Sequence, residues 1–525
     1  MKVSWRLMKL ENKNWLPHLK NEMMIGARNN NLCSYLIALE GWRRGLTLKF
    51  YSRKVKKASL HVPGCLYSLS SDDKTHTFYK SKGMDVKGKA FSIGDNKFKA
   101  KKWLAKHGVQ VPEGEKFSKE ISNEEIISYA NKLGFPVVLK PAKAAQGKGV
   151  IANIKNEKFL EESLLHVRSE LNYPDVIVEQ YVEGKEYRVY VMKDEVIAVL
   201  NRVPANIIGD GIHSIKKLIE IKNKERRKNP RLFSCQIKVD YEVESLLKNT
   251  RYTLDSIPEK DKQIFLRVKS NITSGGDSVD VTDEFPEEIK KMAIEALKSV
   301  PDFPHGGVDI IVDPNRPVDK AAYVIELTPV PQIGSLVFPM KGKGRDVPSA
   351  IIDYYFPETK NKRNNNPNVY FDLKDVLAPL MSKSASEITV SPVPLNLSFA
   401  KKYNMTGKVQ GVGFRRWIRK KALESDLYGY AQNLRDGSLD VVVAGDEVMV
   451  NKFRDTCKQG PKASKVKEIS EAMWERPIKI GFEIKSNPKI KKNKEQRPEQ
   501  AQVNGEQVKK KKTFAQRLKR KIKKV

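Results

Sequence analysis

Four groups of residues in this 525-residue chain have types and spacings suited to phosphate chemistry. The first is a pair of lysines: Lys101 lies within Phe98–His107, and Lys140 ends the run Val137-Val138-Leu139-Lys140. Two ammonium groups reaching one triphosphate would offset much of its charge. The second is Gln146-Gly147-Lys148-Gly149, where the glycines leave backbone N–H groups open to a phosphate. The GxxxxGK[ST] spacing of a Walker loop is missing, and a plain surface turn reads the same way. The third is a set of oxygen donors. Asp309 is a charge inside the apolar run Val308–Val312, and Glu326 and Thr328 share one face of a second extended run by the period-two rule. If those runs are neighbours, Asp309, Glu326 and Thr328 converge on Mg²⁺-ligand geometry; as edge-strand acids they would only face water. The fourth is Gly407-Lys408-Val409-Gln410-Gly411-Val412-Gly413-Phe414-Arg415. Phe414, Ile418 and Ala422 follow this small-residue turn at helical spacing. Its helix N-terminus and the fork of Arg415 both favour a bound anion. Further on, Asn433 sits in Gly429–Gly437, a strand and turn, where its amide could orient a water.

These residues need particular elements to hold them. Phe98–His107 reads as a helix closed by Gly108, with Pro112 beyond. Val137–Lys140 and Val176–Val182 read as strands, and Glu186–Val191 and Val196–Val203 as a strand pair turning near Lys193-Asp194. Glu179-Gln180-Tyr181-Val182 ends an apolar strand and offers backbone groups to adenine, with Glu186 placed to reach ribose hydroxyls. Pro286–Ser299 reads as an amphipathic helix, and Val308–Val312 and Tyr323–Leu327 as strands. Residues 398–485 run strand, helix, strand, strand, helix, strand. The expected class is α+β with several domains. Residues 1–90 are a Lys- and Arg-rich region of unreadable role, with a helix end near Leu36–Leu39 and a strand at Leu46–Phe50. Residues 91–357 form one unit. Residues 358–397, with Asn364-Asn365-Asn366-Pro367 and Ser391-Pro392-Val393-Pro394, are a linker by composition. Residues 486–525 are a polar, Lys-rich tail of disordered composition.

The formal net charge of +34 points to an anionic partner. Ten Lys or Arg and no acid lie between Lys509 and Val525, with Phe514, Leu518, Ile522 and Val525 on one helical face. A basic amphipathic helix suits an anionic polymer or membrane surface and leaves nucleic acid open; a solvated tail is the plainer alternative. No apolar run is long enough for a membrane helix, and the start of the chain lacks an apolar signal core. Cys33, Cys65, Cys235 and Cys457 are far apart and form no CxxC pair, which argues against a zinc ribbon or disulfide framework and fits a reducing cytoplasm. The seven histidines show no metal-ligand spacing. Oligomeric state is not legible.

Over residues 91–356 the order of these blocks resembles the ATP-grasp ligases, in particular the ATP-grasp part of cyanophycin synthetase. Asn96-Lys97 through Lys101-Lys102-Trp103-Leu104 to Pro112 matches the opening helix. Arg202-Val203-Pro204-Ala205 with Gly209-Asp210-Gly211, Asn271–Gly276 with Asp280–Asp283, and Gly344–Val347 running to Phe356-Pro357 match later blocks. The resemblance implies that Lys101, Lys140 and Gly147-Lys148-Gly149 hold the phosphates of ATP. It implies that Glu179, Gln180 and Val182 line the adenine hinge and Glu186 the ribose. Arg267 would stabilise the charged intermediate, and Asp309 and Glu326 would carry Mg²⁺. Two positions depart from the family: Thr328 stands where Asn is usual, and the usual Pro-Gly is replaced around Pro331-Gln332. The large second ligase domain of cyanophycin synthetase has no counterpart here. Residues 398–485 resemble acylphosphatase, a ferredoxin-like βαββαβ fold. That likeness implies that Arg415 binds phosphate and Asn433 positions water.

The expectation is therefore a carboxylate–amine ligase working through an acyl phosphate, fused to a domain that hydrolyses acyl phosphates, with small-molecule or peptide substrates. Two alternatives stay open: acylphosphatase as the main activity with a regulatory ATP-binding part, or a non-enzymatic binder of an anionic polymer.

Overall fold

The computed structural model describes residues 15–52, 63–94, 96–143, 149–363, 366–394, 397 and 399–487. Near the start, α1 (Leu32–Arg43) is buried along its whole length. A helix apolar on every side belongs inside a core. It lies against an antiparallel sheet of β1 (Thr47–Tyr51), β2 (Leu66–Ser70), β3 (Thr75–Tyr79) and β4 (Lys82–Gly83), with Phe50 opposite Tyr67 and Leu69 opposite His76.

Two helices follow, α2 (Gly88–Gly94) and α3 (Lys97–Lys106). The Asn96 side chain caps α3 by accepting from Lys99 N, as the orphan N–H groups of a first turn require. Next comes a small body: β5 (Gly114–Phe117), α4 (Asn123–Leu133), β6 (Val137–Pro141), β7 (Ile151–Ile154), α5 (Glu157–Leu165) and β8 (Val176–Gln180). Its sheet order is β5-β8-β6-β7, and Ile126, Val137, Leu139, Leu160 and Val178 form its core.

The chain then enters a larger antiparallel sheet through β9 (Lys185–Met192) and β10 (Glu195–Val203). It leaves for a satellite made of β11 (Asn206–Ile208), α6 (Ile215–Lys228), α7 (Tyr241–Asn249) and β12 (Gln263–Phe265). It returns with β13 (Asp277–Asp280), α8 (Glu287–Lys298), β14 (His305–Val312) and β15 (Ala322–Thr328). The order is β13-β10-β9-β14-β15. Alternation along β9 divides the sheet faces. Tyr187, Val189 and Val191 pack with α8 and α3 on one face, while Tyr190 and Met192 join the α1 core on the other.

After α9 (Gly334–Val337) and α10 (Val347–Tyr355) the chain returns to the first sheet. Here the structure corrects the reading of residues 358–397 as a linker. They contain β16 (Val369–Tyr370), α11 (Leu373–Met381) and β17 (Glu387–Thr389), and β17 pairs with β1 through Thr389 and Lys49. Phe371, Leu373, Leu377, Leu380, Val390 and Val393 are buried in the α1 core. Between the Asn-rich and Pro-rich patches that suggested a linker lies an apolar run, and Val393 of the second patch is itself buried. At roughly 1.5–3 kcal/mol for each large side chain removed from water, that run is held firmly in place. Apolar side chains from Leu19 to Phe78 therefore share one core with residues of β9, β10, α9, α10 and α11.

The last body is β18 (Phe399–Lys408), α12 (Phe414–Glu424), β19 (Tyr428–Asn433), β20 (Leu439–Gly445), α13 (Glu447–Gln459) and β21 (Lys465–Met473), followed by β22 (Ile478–Lys479) and β23 (Phe482–Lys485). This is the expected βαββαβ order with one strand more: β23 adds parallel to β19, giving β21-β18-β20-β19-β23. Meanwhile β22 pairs in parallel with β16, Val369 opposite Ile478.

Candidate functional site

The two lysines of the sequence reading meet at one carboxylate. Lys101 comes from α3 and Lys140 from the end of β6; both bond Glu179 at the end of β8, Lys101 Nζ at 2.5 Å from Oε2 and Lys140 at Oε1. Glu179 is 4% exposed. Burial works to raise its pKa, but the two ammonium groups outweigh burial and hold the carboxyl below its usual range. The side chain of Glu179 thus faces the two lysines. Beyond it, Gln180, Tyr181 and Val182 line a cleft of about 440 Å³, closed on the other side by Asp313, Arg316 and Tyr323 of the β14–β15 hairpin. Helix α3, which carries Lys101, also packs on β15 through Ala100, Leu104 and Leu327, so the lysines and the acids of the large sheet share a support.

On the large sheet the acid pair lies as the spacing implied. Asp309 on β14 stands directly opposite Glu326 on β15, and Thr328 opposite Gly307, so all three project from one face. Around them is a charge network. Arg188 of β9 grips Asp309 with both Nε and Nη2, the second at 2.8 Å, and Arg202 of β10 reaches Asp309 Oδ2 at 3.0 Å and Glu186 Oε1 at 2.6 Å. Burial alone would raise Asp309, yet the guanidiniums of Arg188 and Arg202 leave it below the usual range. Glu186 goes the other way, raised chiefly by burial against the pull of Arg202. Its carboxylate is bonded to Arg202, where the resemblance put it at a ribose.

Among the described residues no cluster of three or more His, Cys, Asp and Glu is placed to hold a metal ion. The available donors are the two cross-strand carboxylates and Thr328 Oγ1, a buried oxygen with no hydrogen-bond partner. An orphaned hydroxyl beside two carboxylates fits a hard cation that takes oxygen ligands, with Asp309 giving up part of its arginine contact.

Arg267 follows β12 and is 7% exposed. It pairs with Asp240, at 2.5 Å, and with Glu242, two acids the sequence reading did not name. Gly147 and Lys148 lie outside the described residues. Gly149 is at φ 69°, where a Cβ would meet Pro141 Cγ at 2.7 Å, so glycine is required there.

The second site is built locally. Gly411 and Gly413 take φ of 73° and 77°, which turn the chain tightly into the N-terminus of α12. Gln410 Nε2 donates to Leu434 O at 2.8 Å and Ser438 O at 2.7 Å, tying this turn to the β19–β20 hairpin. Arg415, in the first turn of α12, donates through Nη1 to Lys485 O and Asn487 Oδ1, each at 3.2 Å. Asn433, 6% exposed, keeps its Oδ1 buried with no hydrogen-bond partner. A permanent cation, a helix N-terminus and an uncommitted amide oxygen thus share one small body.

Comparison with known proteins agrees with this division. Residues 94–210 match the family described as the RimK-like ATP-grasp domain, and residues 401–484 match acylphosphatase. The chain thus holds a segment similar to ATP-grasp domains and a segment similar to acylphosphatases. Among curated relatives, the glutathione biosynthesis bifunctional protein GshAB of Listeria innocua is 36% identical over 267 residues, covering 50% of this chain and 34% of that protein. The same-named protein of Pasteurella multocida is 36% identical over 276 residues, 51% of this chain and 36% of that protein. The chain thus spans about a third of the length of these relatives. Among solved structures, a bifunctional glutathione synthetase from Pasteurella multocida is similar at 32% identity over 56% of this chain and 41% of that one, with a TM-score of 0.45. Acylphosphatase from Bacillus subtilis is similar at 30% identity over 16% of this chain and 97% of that one, with a TM-score of 0.16.

Arg188 and Arg202 carried no role in the sequence reading. The alternation Glu186-Tyr187-Arg188-Val189 held the signal, because it puts Glu186 and Arg188 on one strand face. Asn487 left no such trace. The basic run from Lys509 to Val525 lies outside the described residues, and neither the described fold nor the comparisons support an anionic-polymer, membrane or nucleic-acid partner. Among the described residues no helix is long and apolar enough to cross a membrane.

Proposed function

We propose that the protein is a Mg²⁺- and ATP-dependent carboxylate–amine ligase whose acylphosphatase domain hydrolyses acyl phosphates. The observation that carries this reading is the cross-strand placement of Asp309 and Glu326, with Thr328 beside them, on the sheet that packs against the helix bearing Lys101. Lys101 and Lys140 bind the triphosphate, aided by Gly147, Lys148 and Gly149. Glu179 holds the two ammonium groups ready. Backbone groups at Gln180 and Val182 seat the base, and Glu186 with Arg202 borders the ribose. Asp309, Glu326 and Thr328 would hold Mg²⁺, which supplies charge neutralisation at the β- and γ-phosphates. A substrate carboxylate oxygen attacks the γ-phosphorus, the bond to the bridging oxygen breaks, and ADP leaves. The amine nitrogen then attacks the acyl carbon, the C–O bond to phosphate breaks, and the amide forms as the nitrogen loses a proton to solvent. Arg267 stabilises the charge that develops in these steps. Catalysis is chiefly positioning and charge stabilisation.

In the second domain Arg415 holds the phosphate of an acyl phosphate and Asn433 orients the attacking water, yielding carboxylate and phosphate. Such a domain would discharge acyl phosphates that the amine fails to capture. The relatives' place in glutathione biosynthesis favours small amino-acid or peptide substrates. Four buried, free cysteines suit a reducing cytoplasm. ADP release with Mg²⁺ over a panel of amino acids and dipeptides tests the ligase. ADP release that is equal in the wild type and Asp309→Asn would end that reading. More trapped acyl phosphate in Asn433→Ala tests the editing role, and an unchanged level removes it. Hydrolysis of acetyl phosphate that persists with no ATP-dependent activity under any condition would instead make acylphosphatase the main function.

A further inference from the structure

The stretch 478–487 belongs to two bodies at once. Its first half bonds to the body built around α1. Ile478 N donates to Asn368 O at 2.8 Å and Ile480 N to Tyr370 O at 2.9 Å, on either side of the register that pairs β22 with β16. Gly481, at φ 82°, then turns the chain, a conformation that glycine takes without strain. The second half, β23, bonds to the sheet of the last body, with Gly429 opposite Phe482, Tyr430 opposite Glu483 and Gln432 opposite Lys485. Gln432 Nε2 donates to Ser486 O at 3.0 Å, and Lys485 Nζ lies 3.3 Å from the centre of the Tyr430 ring.

The far end of this strap reaches the candidate phosphate residue. Arg415 Nη1 donates to Lys485 O and to Asn487 Oδ1, and Asn433 follows Gln432 on β19. The separation of guanidinium and amide therefore follows the register of β23 on β19, and a slip of one residue moves a strand group by about 3.3 Å. A strand of four residues has few bonds with which to fix that register. The near end supplies a fixed point. The Lys479 ammonium bonds Glu483 of β23 and, at 3.1 Å, Asp375 Oδ2 of α11, and its side chain is 21% exposed. Burial works to lower the Lys479 pKa, but the bonds to Glu483 and Asp375 outweigh it and raise the pKa. One cation thus ties the strand under Arg415 to a helix of the other body.

We propose that Lys479 is a positioning residue for the hydrolase: held between Asp375 and Glu483, it sets where β23 presents the Lys485 carbonyl and Asn487 to Arg415. The body around α1 then helps to shape a phosphate site that lies in the other body. This rests on the hydrolase reading of Arg415 and Asn433. Lys479 acts through Arg415, so its effect falls on phosphate binding and spares the attack by water, which Asn433 serves.

The test uses the full chain and three variants, Lys479→Met, Lys479→Arg and Asp375→Asn. Two readouts are taken without ATP: KM and kcat for acetyl phosphate, and the rise in Tm on adding inorganic phosphate. Lys479→Met is expected to raise KM roughly three- to tenfold with kcat within about twofold of the wild type, and to shrink the rise in Tm. Asp375→Asn should move both readouts the same way by less, and Lys479→Arg should keep the wild-type KM. A lysine that only joined the bodies would lower Tm and leave KM alone. Asp375 is 68% exposed in its side chain, so Asp375→Asn decides the matter should Lys479→Met not fold. An unchanged KM in whichever of these two folds, or a loss confined to kcat, overturns the proposal. If the wild type hydrolyses no acetyl phosphate, the hydrolase reading falls and phosphate decides. A smaller rise in Tm in Lys479→Met then keeps the positioning role at an anion site. A rise equal to that of the wild type, or none in the wild type, overturns it.

Discussion

The two candidate sites are assembled in opposite ways. The phosphate and acid residues of the ATP-grasp region come from α3, β6, β8, β14 and β15, spread over more than two hundred positions and two sheets. Nearly every charge there is met by another protein charge: Glu179 by two lysines, Asp309 by two arginines, Arg267 by Asp240 and Glu242. The acylphosphatase residues come from one turn and one hairpin of a single body. There, among the described residues, Asn433 Oδ1 has no hydrogen-bond partner and Arg415 meets a carbonyl and an amide. A site dispersed over several cores needs internal counter-charges to hold its cations together without ligand, whereas a compact one can leave its groups open.

This contrast can be broken experimentally. Asp309→Asn should have the largest effect. It removes the charge that two largely enclosed guanidiniums share, those of Arg188 and Arg202 at 11% and 17% exposure, so ATP-dependent ADP release should fall at least about a hundred-fold with a stability loss of roughly 3 kcal/mol. Acetyl phosphate hydrolysis should hold at temperatures where the variant stays folded. Parallel assays of both activities on one preparation decide it, and equal loss in both would contradict the separation of the sites. Asn433→Ala is the mirror case: hydrolysis of acetyl phosphate should drop on the order of a hundred-fold in kcat, with ADP release by the ligase intact.

A smaller effect concerns His305, buried between Tyr190 and Tyr355. Burial, with Lys82 adding to it, lowers its pKa from 6.5 to about 4. Between those values the unfolded chain takes up a proton that the folded chain refuses, so stability is full above pH 6.5 and is lost as pH falls toward 4, by about 3 kcal/mol. Tm measured against pH should therefore slope downward through that window in the wild type and be flatter in His305→Gln; matching slopes would remove His305 as the cause. Smallest of all, Asn487→Ala should raise KM for acetyl phosphate by roughly threefold, since it frees Arg415 from one neutral hydrogen bond. An unchanged KM would show that the Lys485 carbonyl is enough.

The same contrast explains what was legible in the sequence. Strands and helices around the sites were readable because local alternation and caps specify them: Val137–Lys140, Val308–Val312 and Tyr323–Leu327 all lie within observed strands. The glycine turn before Arg415 and the βαββαβ order were readable because that body is contiguous. The partner of Glu179 was not, since nothing local to β8 reports that α3 will cross it. Residues 358–397 misled for the same reason. Their Asn- and Pro-rich patches are local signals, while the burial of Phe371 and Leu377 depends on α1, more than three hundred positions earlier. Extra strand β23 escaped notice because Phe482–Lys485 is too short to show a period.

The pairing of Val369-Tyr370 with Ile478-Lys479 has a practical consequence for anyone dissecting this chain. The acylphosphatase body is not a bead on a string. A cut placed between the two candidate sites at residue 398 strips away the strand that Ile478 and Ile480 bond to, along with Asp375, which meets Lys479 at 3.1 Å. Heating the intact molecule should then melt the body containing α1 and the hydrolase body in one calorimetric peak, and the two catalytic capacities should decay on a common clock.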